Sequence, residues 1–173
     1  MQRQILILLI SCLLISCSSQ QEKLKVNFYN IDLTRSDGWH DRYSINVDSS
    51  KHCIVKKFND DESHYFEGYL PDTIAEKIFV LVDSINVTRY DTLYKPNCYD
   101  CQLYKIIINT KTQTLRTSVQ GRHSLKHLDS LVRIFTTFTK LQNLNSIDTT
   151  FEFESFKDFL LPLTKTFSPP VVE

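Results

Sequence analysis

From Leu24 to Leu70 the chain alternates between apolar and polar positions. Leu24, Val26 and Phe28 recur at every second position of LKVNFYNIDLT (24–34). In YSINVD, Tyr43, Ile45 and Val47 alternate with Ser44, Asn46 and Asp48. A period of two sends successive side chains to opposite faces, the mark of a half-buried strand. HCIVKKF (52–58) and SHYFEGYL (63–70) read as two more strands, with NDDE as the turn between them and RSDGWHDR as a turn or loop around Gly38. After Leu70 the period lengthens. Pro71 and Asp72 suit a first helical turn, and Ile74, Ile78, Leu81, Val82 and Ile85 then form one apolar face. A long loop, TRYDTLYKPNCYDC, leads to QLYKIIIN and TQTLRTSV, an expected hairpin about Asn109-Thr110-Lys111. A second helix is expected from about Ser124 to Leu141, with Leu125, Leu128, Leu131, Val132, Phe135 and Phe138 as its face. FEFESFKDFLLPL combines alternation at Phe151 and Phe153 with a short helix from Ser155, which Pro162 must end. SPPVVE closes the chain as a loose tail. This order, β-β-β-β-α-β-β-α with a C-terminal extension, predicts an α+β fold: an antiparallel sheet with two amphipathic helices packed on one face.

Composition narrows the function classes. The 173 residues carry 20 basic and 20 acidic side chains, so no electrostatic field of one sign is set up and nucleic acid is not an expected partner. Three glycines, with abundant Thr, Tyr, Phe, Ile and Val, fit a strand-rich chain.

The first residues follow a different pattern. Behind Arg3, an uncharged apolar run extends from Ile5 to Ser16 and gives way at once to polar SSQQEK. It is shorter than the ~20 residues that cross a bilayer, and has the length of a secretory signal core. LISC occurs twice, at 9–12 and 14–17. Leu14-Ile15-Ser16-Cys17 resembles the lipobox of bacterial lipoproteins, in which the cysteine is lipidated and becomes the first residue of the mature chain. Cys17 is the better placed copy. Using Cys12 would shorten the apolar core to Ile5–Ser11 and leave Leu13-Leu14-Ile15 just after the cut. The resemblance implies a signal peptide at 1–16, a lipidated tether at 17–23 and a single domain at 24–173. Two or more acyl chains hold a protein stably on a membrane. Ser18 after the cysteine points, by analogy with a bacterial sorting rule, to the outer membrane. From about Tyr43 to Leu141 the chain also resembles an uncharacterised domain of small bacterial lipoproteins. The likeness lies in a strand pair ending in Tyr65-x-x-Gly68, a helix just after it, a Tyr/Asp-bearing loop, a hairpin and a final amphipathic helix.

Candidate chemistry is sparse. Cys98-x-x-Cys101 allows a small disulfide, a redox pair or half a zinc site. A redox pair belongs at a helix N-terminus, whereas this one precedes a strand; zinc would need Cys53, His52 or His64 to complete its ligands. A disulfide is the expectation, with Cys53 a core residue and no metal or cofactor. Asp37-Gly-Trp39-His40-Asp41 puts acid, indole and imidazole in one loop, without a nucleophile in a recognisable setting. His123 and His127 have a chelating i, i+4 spacing at the start of the second helix, but lack the HExxH form. Trp39, Tyr90, Tyr94 and Tyr99 are the candidate binding surface, because such rings offer contact area at little entropic cost; Tyr104 stands at the exit of the same loop. The expected function is a non-enzymatic binding or accessory module of the cell envelope, held to the membrane through Cys17, with an envelope protein as a candidate partner. The alternatives are a periplasmic immunity protein against a delivered toxin, or a thiol-redox protein using Cys98 and Cys101.

Overall fold

The computed structural model describes residues 28–37, 41–59, 62–95, 101–121, 123–141, 144–157 and 159. The expected signal peptide and lipidation site, residues 1–17, and Leu24 and Val26 of the first alternating segment lie outside them. Among the described residues the chain mixes α and β structure: eight strands form one mostly antiparallel sheet, accompanied by two helices.

Strands β1 (Phe28–Ser36), β2 (Arg42–Asp48), β3 (His52–Asn59) and β4 (Glu62–Tyr69) form an antiparallel meander, and helix α1 (Asp72–Ser84) follows. The two-residue β5 (Leu93–Tyr94) precedes the hairpin of β6 (Leu103–Thr110) and β7 (Thr114–Gln120). Helix α2 (Lys126–Leu141) and the short β8 (Asn145–Ile147) complete the regular elements. The spatial order is β5-β7-β6-β1-β2-β3-β4-β8. β6 thus pairs with β1, far from it in sequence, and the two hairpin systems merge. β5 is the parallel member, on β7; β8 caps the other edge against Tyr65–Glu67. Neither edge strand carries a periodic signal long enough to read from sequence.

The register sorts the side chains onto two faces. Ile31 faces Val47 and Ile108, and Leu33 faces Ile45 and Ile106; with Val55 and Cys53 these make an apolar face. Buried residues of both helices join it in one cluster: Ala75, Ile78, Phe79 and Val82 of α1, and Leu128, Leu131, Val132, Phe135 and Phe138 of α2. Ala75 and Phe79 shift the α1 face from the expected one, leaving Ile74 and Leu81 only partly buried. Tyr43 ties this face to α2, its hydroxyl 2.9 Å from Thr136 Oγ1. Burial pushes that phenol up to about 12.

The opposite face is polar, with Asp32, Thr34, Ser44 and Asn46. Alternation makes it look solvated, yet Thr34 and Ser44 are fully buried and Asp32 is 4% exposed. The cover is the C-terminal segment. Where a short helix from Ser155 is expected, the described residues show a 3-10 turn, Glu154–Phe156, lying against β1 and β6. Pro162 lies outside the described residues.

Candidate functional site

Only some of the residues singled out in the sequence are described. Trp39, His40, Cys98 and Tyr99 lie outside the described residues. The ends of their loops do sit at one end of the sheet, because Ser36 pairs with Leu103. Asp37 and Asp41 close the β1–β2 turn on each other: Asp41 N–H donates to Asp37 Oδ1 at 3.0 Å. Asp41 also pairs with Lys140 at the end of α2. Cys101 is disulfide-bonded, to a cysteine outside the described residues. Cys53 is a free thiol in the core, and burial pushes it up to about 12, far from a reactive thiolate.

Tyr90 and Tyr94 come together with Tyr104. Both are partly buried against the core. The Tyr104 hydroxyl donates to Asp129 Oδ1 at 3.0 Å, and burial, then the nearby Asp129 charge, raises its pKa. His123 stands before α2, not on it. Its Nε2 lies 2.9 Å from the Lys95 carbonyl oxygen and 3.0 Å from that of Gln120. Carbonyls only accept, so Nε2 carries the proton and is committed to the backbone. Because His123 precedes the helix, its i, i+4 spacing from His127 does not place both rings on one helical face. Among the described residues, no group of three His, Cys, Asp or Glu side chains is placed to hold a metal. No helix among them is long and apolar enough to cross a membrane.

The built features lie on the polar face, under residues 151–157. Ser155 Oγ donates to Asp32 Oδ1 at 2.5 Å, and Glu154 N–H donates to Asp32 Oδ2 at 2.8 Å. Thr34 Oγ1 lies 2.7 Å from Ser155 Oγ and 2.8 Å from Ser44 Oγ. With Asp32 ionised and accepting only, the hydroxyl order is fixed: Ser44 donates to Thr34, Thr34 to Ser155, and Ser155 to Asp32. Such a chain polarises itself cooperatively. Burial still raises the Asp32 carboxyl above its ordinary value, against these hydrogen bonds. With all four groups buried, the chain is a latch without access for a substrate.

Beside the latch the same segment forms a ring cluster. Phe156 stacks on Phe58 of β3, centroids 5.2 Å apart. Arg42 lies over the Phe58 ring at 4.0 Å, with its Nε buried and without an acceptor among the described residues. Lys56 Nζ sits 4.8 Å from the Phe58 centroid, 4.9 Å from Phe156 and 5.3 Å from Tyr65. A cleft of about 260 Å³ opens here, lined by Lys56, Tyr65, Phe151, Phe153, Phe156 and the Glu152–Lys157 pair. The sequence reading missed this site. Its one sequence signal is FEFESF, too rich in aromatic residues for a solvated tail.

No family model matches the chain, and no curated protein does.

Proposed function

We propose that the chain is a lipid-anchored protein of the bacterial cell envelope that acts by non-covalent binding. In this reading Cys17 carries the lipid, in the outer membrane, and the polar stretch after it serves as tether. The folded part is an α+β domain whose two helices share one face of the sheet, leaving the other face for the C-terminal segment and its cleft. Cys98 is the disulfide partner of Cys101. The observation that carries the binding role is the cleft: aromatic walls and an ammonium group, next to a segment latched by directional hydrogen bonds. Recognition sites commonly combine apolar walls with a few placed polar groups.

The two halves of the reading are tested separately. Radiolabelled fatty acid should enter the wild-type protein and not Cys17→Ala, which should leave the membrane fraction; an unlabelled wild type ends the anchor. For the cleft, envelope extracts are passed over immobilised full-length protein and over Phe156→Ala. Something retained by the first and not the second supports binding there; identical retained sets move the binding surface elsewhere.

A further inference from the structure

Lys56 and Arg42 share a property on which a ligand assignment can rest. Neither has a carboxylate partner among the described residues, whereas Lys51, Arg116, Lys140 and Lys157 all do. Lys56 turns its ammonium instead toward three rings, Phe58, Tyr65 and Phe156, each within 5.3 Å. Rings of this kind attract cations through their negative faces. Here that place is already filled by the chain's own ammonium, so an incoming cation meets like charge and an occupied cage. An anion meets the reverse: an ammonium held in position by packing, with no acid among the described residues to displace. Lys157 flanks the same cleft, engaged with Glu152 at 3.1 Å, and both of these side chains are largely exposed. The walls from Tyr65, Phe151, Phe153 and Phe156 favour a flat or apolar body behind the charge. A volume of about 260 Å³ limits the ligand to a small molecule.

We propose that the cleft between β3–β4 and residues 151–157 binds a small anionic molecule, a carboxylate or phosphate borne on an aromatic or aliphatic body, with Lys56 as its charge partner. This rests on the binding-module reading and deepens it. Glu152 acts as a competitor, because it draws Lys157 away from the ligand.

The test follows amide shifts of the ¹⁵N-labelled full-length chain, in non-ionic detergent, during titration with benzoate, phenyl phosphate, benzamide and benzylamine up to about 20 mM, since probes of this size bind at roughly millimolar level. Benzoate or phenyl phosphate should move the amides of Lys56, Tyr65, Phe153 and Phe156, and the tighter of the two identifies the anion. Benzamide and benzylamine should bind at least about tenfold more weakly. Lys56→Gln should weaken the anion about tenfold, and Glu152→Gln, at an exposed position, should tighten it a few-fold. Benzamide or benzylamine binding as well as benzoate, or no shift at these amides with either anion, overturns the proposal. Fatty-acid incorporation is read on the same preparation. A chain without lipid that still binds benzoate through Lys56 therefore removes the anchor and supports the cleft.

Discussion

At its centre each face of the sheet is buried, but the two are held differently. On the apolar face Ile31, Leu33, Ile45, Val47, Val55 and Ile106 are all fully buried, in a cluster with helix residues. On the polar face Thr34, Ser44 and Ser155 are just as inaccessible, but what they make is a chain of hydroxyls ending on Asp32. Burial of apolar area is non-directional and tolerates small shifts. Buried hydroxyls and a carboxylate must each find a partner at hydrogen-bond distance, or cost the fold their desolvation. One face therefore secures the fold, and the other fixes one segment in one place.

The largest contrast comes from removing an aromatic ring on each side. Phe135 is fully buried at the centre of the apolar cluster, and Phe135→Ala is expected to cost about 3–5 kcal/mol in urea denaturation. Phe156, half-buried on Phe58, should cost about 1–2 kcal/mol as Phe156→Ala, less than a full core truncation because part of its surface already faces water. Its amide exchange protection in residues 153–156 should fall while that of Ile45 and Ile106 stays. Equal losses at both positions would mean that the C-terminal segment belongs to the main cooperative unit.

Ser155→Ala probes the latch directly. It removes the donor to Asp32 and the acceptor for Thr34 together, leaving a buried carboxylate short of one hydrogen bond. The expected cost is about 1–3 kcal/mol. Hydrogen exchange should place the loss at Glu154–Phe156 first.

The pH response of the polar face is smaller and has a definite sign. Burial raises the Asp32 carboxyl above 3.8, so the folded chain takes up the proton before the unfolded chain does. Stability contributed by this group therefore rises as the pH falls through the raised folded value toward 3.8, and levels off below it. A single proton gives a slope of at most about 1.4 kcal/mol per pH unit. Lys105 and Arg116 bond the same segment at the Lys157 carbonyl and the Glu154 carboxylate. Asp32→Asn should flatten the slope. Asp72 acts in the opposite sense: the hydrogen bond and charge of Lys51 lower its pKa, so its contribution holds above 3.8 and is lost as the pH falls through the depressed folded value. Urea titrations of Asp32→Asn and Asp72→Asn across acid pH should thus change slope with opposite signs.

This division also marks what the sequence could disclose. Alternation in 43–48 and in 52–58, and the 3.6-residue spacing of 72–84 and 126–141, located the long elements, because an apolar stripe shows in the pattern wherever it is covered. Ser44 was legible as the polar side of a strand, but not as a buried residue. Nothing local to YSINVD tells that Ser155, more than a hundred residues on, covers it. β5 and β8, at two and three residues, are strands only because a neighbour's edge was open. Of the expected binding surface, Tyr90 and Tyr94 are partly buried against the core, and the cleft came from Lys56, Tyr65 and Phe156, whose joint meaning depends on the fold.

The smallest expected effect tests how tightly the β8 edge is fastened. Gly68 sits on β4 opposite Cys53, and a methyl group added there would lie 2.8 Å from Leu144 Cδ2. That atom is the end of a side chain that can rotate, so crowding costs roughly 1 kcal/mol, at the low end for overpacking. Against it, Ala in a strand is favoured over Gly by about 0.5–1 kcal/mol. Gly68→Ala alone should therefore be close to neutral in thermal denaturation. With Leu144→Ala the crowding disappears and the backbone preference remains, so adding Gly68→Ala to that variant should stabilise it by about 0.5–1 kcal/mol. The difference between the two backgrounds measures the contact itself. If Gly68→Ala has the same effect in both, Leu144 does not press on β4, and the hydrogen bonds of Asn145–Ile147 alone hold the edge.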